Sequence, residues 1–127
     1  MNKKPILIVP GEPNSIFFEI FFKSLISYKF KTPIIVIASH KIVELHMKKL
    51  KYNFKINLLD RSNLFKDTLK NNKLNLIDIK YNFPIKFSKI SSKSKNYIDK
   101  CFHIAFDLQK KSMLTNLLMV QFLRNFF

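Results

Sequence analysis

The strongest constraint on the fold lies at the start of the chain. Ile6-Leu7-Ile8-Val9 is an apolar run rich in β-branched side chains, followed at once by Pro10-Gly11-Glu12-Pro13 and then by Asn14-Ser15-Ile16-Phe17-Phe18-Glu19. The run has no polar alternation, so it fits a strand buried on both faces. Pro10 fixes φ and Gly11 tolerates positive φ, a turn signal that stops the strand. Asn14 or Ser15 can then cap a helix, with Glu19 near its first turn, where the helix dipole favours a carboxylate. Strand, tight loop and helix predict the opening of a parallel α/β domain. Ligands of such domains gather at the carboxyl ends of strands, where the loop 10–13 sits.

The same grammar repeats downstream. Residues 16–28 read as a helix with Ile16, Phe17, Ile20, Phe21, Ser24 and Leu25 on one apolar face, widened by Phe18 and Phe22. Thr32-Pro33 restarts the chain in extended form, and residues 34–38 form a second buried strand. Ser39 can cap a helix over residues 40–50. Residues 52–59 alternate as a third strand, 60–72 read as polar and irregular, 74–79 as a fourth strand and 82–94 as a connection. From about Ser94 a helical stripe returns through Tyr97, Ile98, Cys101, Phe102, Ala105 and Leu108. The expected fold class is α/β, a layered and mostly parallel sheet flanked by helices.

Composition narrows the partners. A chain of 127 residues, 47% hydrophobic, suits one domain with a single core and excludes wholesale disorder. The formal charge of +15 points towards nucleic acid or an acidic surface. Yet the lysines are scattered in small groups such as Lys3-Lys4, Lys48-Lys49-Lys51, Lys93-Lys95 and Lys110-Lys111, with no arginine cluster suited to forked phosphate contacts. The surplus of Lys, Asn, Ile and Phe is what AT-rich codons encode, so solvated lysine faces are expected. A single cysteine gives no disulfide framework. The first apolar run is too short for a signal-peptide core, and no apolar stretch reaches the roughly 18 residues of a membrane span. A cytoplasmic location with no membrane partner is the expectation.

Few residues can carry chemistry. His40 and His46 are six apart, so one helix points them to different sides, and His103 has no second histidine at i+4. With one glycine in the chain, no Gly-x-Gly dinucleotide fingerprint exists. Cys101 falls on an apolar stripe and reads as core. No catalytic, cofactor-binding or metal-binding residue is assigned. Gly11 and Glu12 are the candidate site-bordering loop. Glu12 can meet a substrate cation or hydroxyl, or it can simply satisfy the helix amides behind it.

The segment Ile8-Val9-Pro10-Gly11-Glu12-Pro13, followed by Ile16 and Glu19, resembles the opening of the 4-hydroxythreonine-4-phosphate dehydrogenase family of vitamin B6 (pyridoxal phosphate) biosynthesis. That family reads Pro-Gly-Glu/Asp-Pro-Ala-Gly-Ile-Gly-Pro-Glu here, and this chain departs from it at Asn14, Ser15, Phe17 and Phe18. The resemblance implies a two-domain fold of the isocitrate/isopropylmalate dehydrogenase type, of which this chain would be an incomplete, amino-terminal piece. It also implies an NAD-dependent oxidation, with decarboxylation, of a small phosphorylated substrate. A divalent metal held by histidines and a site at a homodimer interface complete the family picture. None of the metal histidines has a counterpart here, so the piece is expected to be inactive alone.

The carboxyl terminus carries a second clue. In the family the long helix leads to a strand and then to Gly-Pro-(Ile/Val)-x-Lys. Here the chain reads Asn116-Leu117-Leu118-Met119-Val120-Gln121-Phe122-Leu123-Arg124-Asn125-Phe126-Phe127. Taken from the third base of the Met119 codon, the other frame begins with GGT, glycine, and permits Pro, Ile, Ser, Lys and Lys after it. The expected organisation is therefore residues 1–111 as the dehydrogenase part and residues 112–127 as an apolar tail read out of frame, with the adenine run of Lys110-Lys111 as a place for a slipped base. A genuine apolar helix over residues 113–127 is the alternative. For function as a whole, the alternative is a small basic protein binding single-stranded nucleic acid through Tyr52, Phe54 and Phe87.

Overall fold

The computed structural model describes residues 6–11, 13, 16–27, 33–60, 69–70, 73–81, 94–112 and 116–119, with the backbone alone for 111–112 and 116–119. Five parallel strands form one sheet in the order β3-β4-β2-β1-β5: β1 (Ile6–Val9), β2 (Ile34–Ala38), β3 (Ile56–Leu58), β4 (Leu74–Asp78) and β5 (Asn116–Met119). The helices are α1 (Phe17–Ser27), α2 (His40–Leu50) and α3 (Lys95–Ser112). The connections through α1 and α2 carry the chain from β1 towards β3, and the connection through α3 carries it back past β2 and β1. Right-handed crossovers in opposite directions place α1 and α2 on one face and α3 on the other. Accordingly α1 packs on α2, whereas α3 lies over β1, β2 and β5.

Central strands buried on both faces explain the unbroken apolar runs. Leu7, Val9, Ile35 and Ile37 are fully buried, as is Leu76 in β4. Each such side chain contributes roughly 1.5–3 kcal/mol through the area it removes from water. β4 interrupts its run with a buried amide. Asn75 Nδ2 donates to the carbonyls of Ile34 (3.1 Å) and Lys70 (2.8 Å), while its Oδ1 accepts from Asn57 Nδ2 (2.9 Å) and the Lys70 amide (3.0 Å). A fully paired amide can sit in a core, and this one ties β3, β2 and the chain at Lys70 to β4.

The helices keep most of the expected stripes, with one rotation. α1 buries Phe17, Phe18, Phe21 and Phe22, while Ile16 and Ile20, expected on the apolar face, are 52% and 49% exposed. Four rings offer more apolar area than two isoleucines, so the helix turns to bury the rings. They form a chain of contacts: Phe17 stacks on Phe21 at 5.3 Å, and Phe22 meets Tyr52 at 5.4 Å and Phe54 at 5.3 Å. Those two aromatics were expected within a strand over residues 52–59. The strand itself covers Ile56–Leu58, because Tyr52 and Phe54 are drawn under α1 instead.

α2 starts as expected, with Ser39 Oγ accepting from the Ile42 amide at 3.3 Å. It ends in a Schellman turn: the Lys51 amide donates to Lys48 O (3.3 Å) and the Tyr52 amide to Met47 O (2.9 Å), with Lys51 at φ 63°. α3 buries Tyr97, Ile98, Cys101, Ala105 and Leu108 as read, and Ile104 besides, with Phe102 only partly covered. Most of residues 60–72 and 82–94 lie outside the described residues. The segment read as a tail contains β5, so over 116–119 the backbone is a strand rather than the alternative helix.

Candidate functional site at the carboxyl edge

Two strand exits shape this edge. At the end of β1, Pro10, Gly11 and Pro13 are buried and Gly11 adopts φ 84°, a left-handed value that costs a glycine nothing. Glu12 lies outside the described residues. The loop is held from behind by α2: His46 Nε2 donates to the Pro13 carbonyl at 2.6 Å, and the imidazole stacks on Phe18 at 4.6 Å. Burial pushes the His46 pKa down, opposed by the bond to Pro13 and aided by Lys49, so the ring is held neutral with its proton on Nε2. His46 is thus a pin for the loop that carries Gly11.

The second exit lies between β2 and β4. The helix after β2 goes to one face and the chain after β4 reaches a helix on the other, so the strand ends part to leave a crevice. Here the amide of His40, the first residue of α2, donates to Asp78 Oδ1 at 2.8 Å. The Ser39 amide donates to the Tyr97 hydroxyl at 2.7 Å. Tyr97 also hydrogen-bonds Cys101 one turn along α3 and meets Tyr81 edge-on at 5.1 Å. Burial raises the Tyr97 hydroxyl well above its ordinary pKa and pushes the Cys101 thiol up to about 12, so both stay protonated. The start of α2 is thereby joined to both neighbouring layers.

Two open clefts flank Asp78. One of about 370 Å³ is lined by Ser39, His40, Lys41, Glu44, Asp78, Lys80 and Tyr81. The other, about 450 Å³, carries Asp60, Asp78, Lys80 and Lys100 on its wall. His40 Nε2 lies 3.4 Å from Glu44 Oε1 on the same helix. Lysines offer charge to an anionic ligand, but Asp78 already occupies the anion position at the start of α2. The crevice can seat and orient a ligand. It holds no nucleophile–base pair among its lining residues.

The screened side chains are kept apart. His46 is buried against α1, His40 borders the smaller cleft, His103 is exposed on α3, and Cys101 is core. Among the described residues no three His, Cys, Asp or Glu side chains gather as metal ligands would. Tyr52 and Phe54 stack on each other at 5.6 Å and on Phe22, so they pack the core face rather than form a platform for bases, and Phe87 lies outside the described residues. Sequence reasoning found the loop 10–13 and the Ser39 cap but missed Asp78, Lys80 and Tyr97. The signal for Asp78 was present: an acid that ends a buried apolar run stands at a strand's carboxyl end.

No protein-family model matches the chain, and no curated protein matches it in sequence. Solved structures do match it in fold. Against a 4-hydroxythreonine-4-phosphate dehydrogenase from Klebsiella pneumoniae the TM-score is 0.79 at 16% identity, over 92% of this chain and 37% of that one. Against a 4-hydroxythreonine-4-phosphate dehydrogenase from Burkholderia phymatum it is 0.76 at 18% identity, over 94% and 36%. The chain therefore has the fold of part of these dehydrogenases and spans little more than a third of their length.

Proposed function

We propose that the chain is the amino-terminal piece of an NAD-dependent dehydrogenase that oxidises and decarboxylates 4-hydroxythreonine 4-phosphate in pyridoxal phosphate biosynthesis. One coincidence carries this reading. The Pro10–Gly11–Glu12–Pro13 segment, the most family-like stretch of the sequence, stands at the exit of β1 in a fold shared with such dehydrogenases. In this reading the complete enzyme is a cytoplasmic homodimer. Gly11 and Glu12 border its site, and the β2–β4 crevice forms one wall of the cleft.

NAD and the divalent metal do not fit the residues present. The chain has one glycine and no Gly-x-Gly cradle, and its described acids, histidines and cysteine form no ligand set. Their partners belong to the roughly two thirds of the fold that the chain does not span. The piece is catalytically silent alone for that reason. Its own contribution is a rigid carboxyl edge: His46 fixes the Gly11 loop, and Asp78 and Tyr97 fix the start of α2.

Genetic complementation tests the reading. In a host that lacks this dehydrogenase and requires pyridoxine, the gene with its downstream frame restored supports growth without pyridoxine, and the 127-residue chain does not. Growth from the 127-residue chain, or none from the restored gene when its product accumulates, would overturn it.

A further inference from the structure

We infer that the reading frame is intact through β5 and breaks inside the Met119 codon, one base short, so that the lost segment starts where β5 reaches the carboxyl edge beside Gly11. The inference rests on the dehydrogenase reading and refines it. The sequence pattern placed the change at about Ser112, after the adenines of Lys110-Lys111. The sheet moves it downstream.

α3 crosses Lys110-Lys111 without interruption and runs to Ser112, with Leu108 buried one turn before its end. β5 then pairs with β1 in parallel over its whole length, Ile6 opposite Asn116 through Val9 opposite Met119. A strand laid against an entirely apolar neighbour in a parallel sheet calls for apolar residues, and the frame as read supplies Leu117-Leu118. The other frame does not. The codons that join Leu114 to Thr115, Thr115 to Asn116 and Leu118 to Met119 become NAC, NAA and NAT, where N is any base. These encode only Asn, Asp, His, Tyr, Lys, Gln or Glu, or a stop. A slip before β5 therefore fills the strand region with polar residues, and a slip within codon 119 leaves Leu117-Leu118 in place.

The consequence falls on the site. One base restored within codon 119 makes the next codon GGT, glycine, whichever valine codon stands at Val120. A glycine then follows β5 at the level where Pro10-Gly11 follows β1, since Val9 and Met119 are partners in the ladder. Two neighbouring strand exits built on glycine have no Cβ atoms between a ligand and the backbone amides. That is a floor an anionic group such as a phosphate can approach, and the chain as read has half of it.

The test has two parts. Resequencing the coding DNA across codons 105–127 should find one missing base in codon 119. A base missing before β5 would overturn the inference and leave the dehydrogenase reading standing. No missing base, with no open frame beyond, would overturn both. In the full chain, Leu117→Pro and Leu118→Pro probe β5 itself, because proline at whichever position donates to β1 removes a ladder bond. At least one should lower the urea unfolding midpoint while Arg124→Pro leaves it unchanged. No change from either would show that β5 is not part of the fold and would overturn the inference.

Discussion

His46 shows how a single side chain can shape an edge that it does not itself line. Its proton on Nε2 is committed to the Pro13 carbonyl, and its ring is packed on Phe18. The folded pKa lies below the ordinary imidazole value of 6.5, chiefly through burial. Below pH 6.5 the unfolded chain binds a proton that the folded chain resists. The His46 contribution is therefore fully present above pH 6.5 and is lost as pH falls through the folded pKa. His46→Gln keeps a donor for Pro13 and removes the titration. Urea midpoints measured from pH 7.5 to 5 should fall more steeply for the natural chain than for this variant, and parallel curves would contradict the assignment. Sequence reasoning could place His46 on a helix and rule out its pairing with His40. It could not see the bond to Pro13, which spans 33 residues and is fixed only when α2 packs behind β1.

At the scale of elements, local patterns predicted most boundaries and tertiary packing decided the rest. Buried strands announced themselves as apolar runs, and Ser39 announced the start of α2. The orientation of α1 was less legible, because isoleucines and phenylalanines occupy adjacent rows and periodicity alone does not choose between them. The packing implies a sharp contrast. Phe22→Ala should cost about 3–5 kcal/mol, since the ring is fully buried among Phe18, Tyr52 and Phe54. Ile20→Lys, on the exposed row, should change stability by no more than about 0.5 kcal/mol. Equal losses in thermal unfolding would mean that the helix faces the other way. The end of α2 makes a second prediction. Lys51 holds a left-handed position that favours glycine, so Lys51→Gly should stabilise the chain by about 0.5–1 kcal/mol in urea unfolding. A loss would show that the Schellman turn does not form.

For the whole molecule, the order β3-β4-β2-β1-β5 is the feature the sequence could not state. Nothing local says that β4 inserts between β3 and β2, yet that insertion opens the crevice around Asp78. The β1 loop was legible because its turn residues and its family resemblance lie in one short stretch. The crevice was not, because its residues come from β2, β4 and α3 and meet only after the crossovers are made. The net charge of +15 finds no aromatic platform among the described residues, which favours the dehydrogenase reading over nucleic-acid binding.

The most direct test of that reading is NADH formation, followed with NAD, a divalent metal and 4-hydroxythreonine 4-phosphate. The product of the frame-restored gene should form NADH in proportion to substrate consumed, and the 127-residue chain should form none. Turnover by the 127-residue chain, or a folded restored product that forms no NADH, would contradict the account.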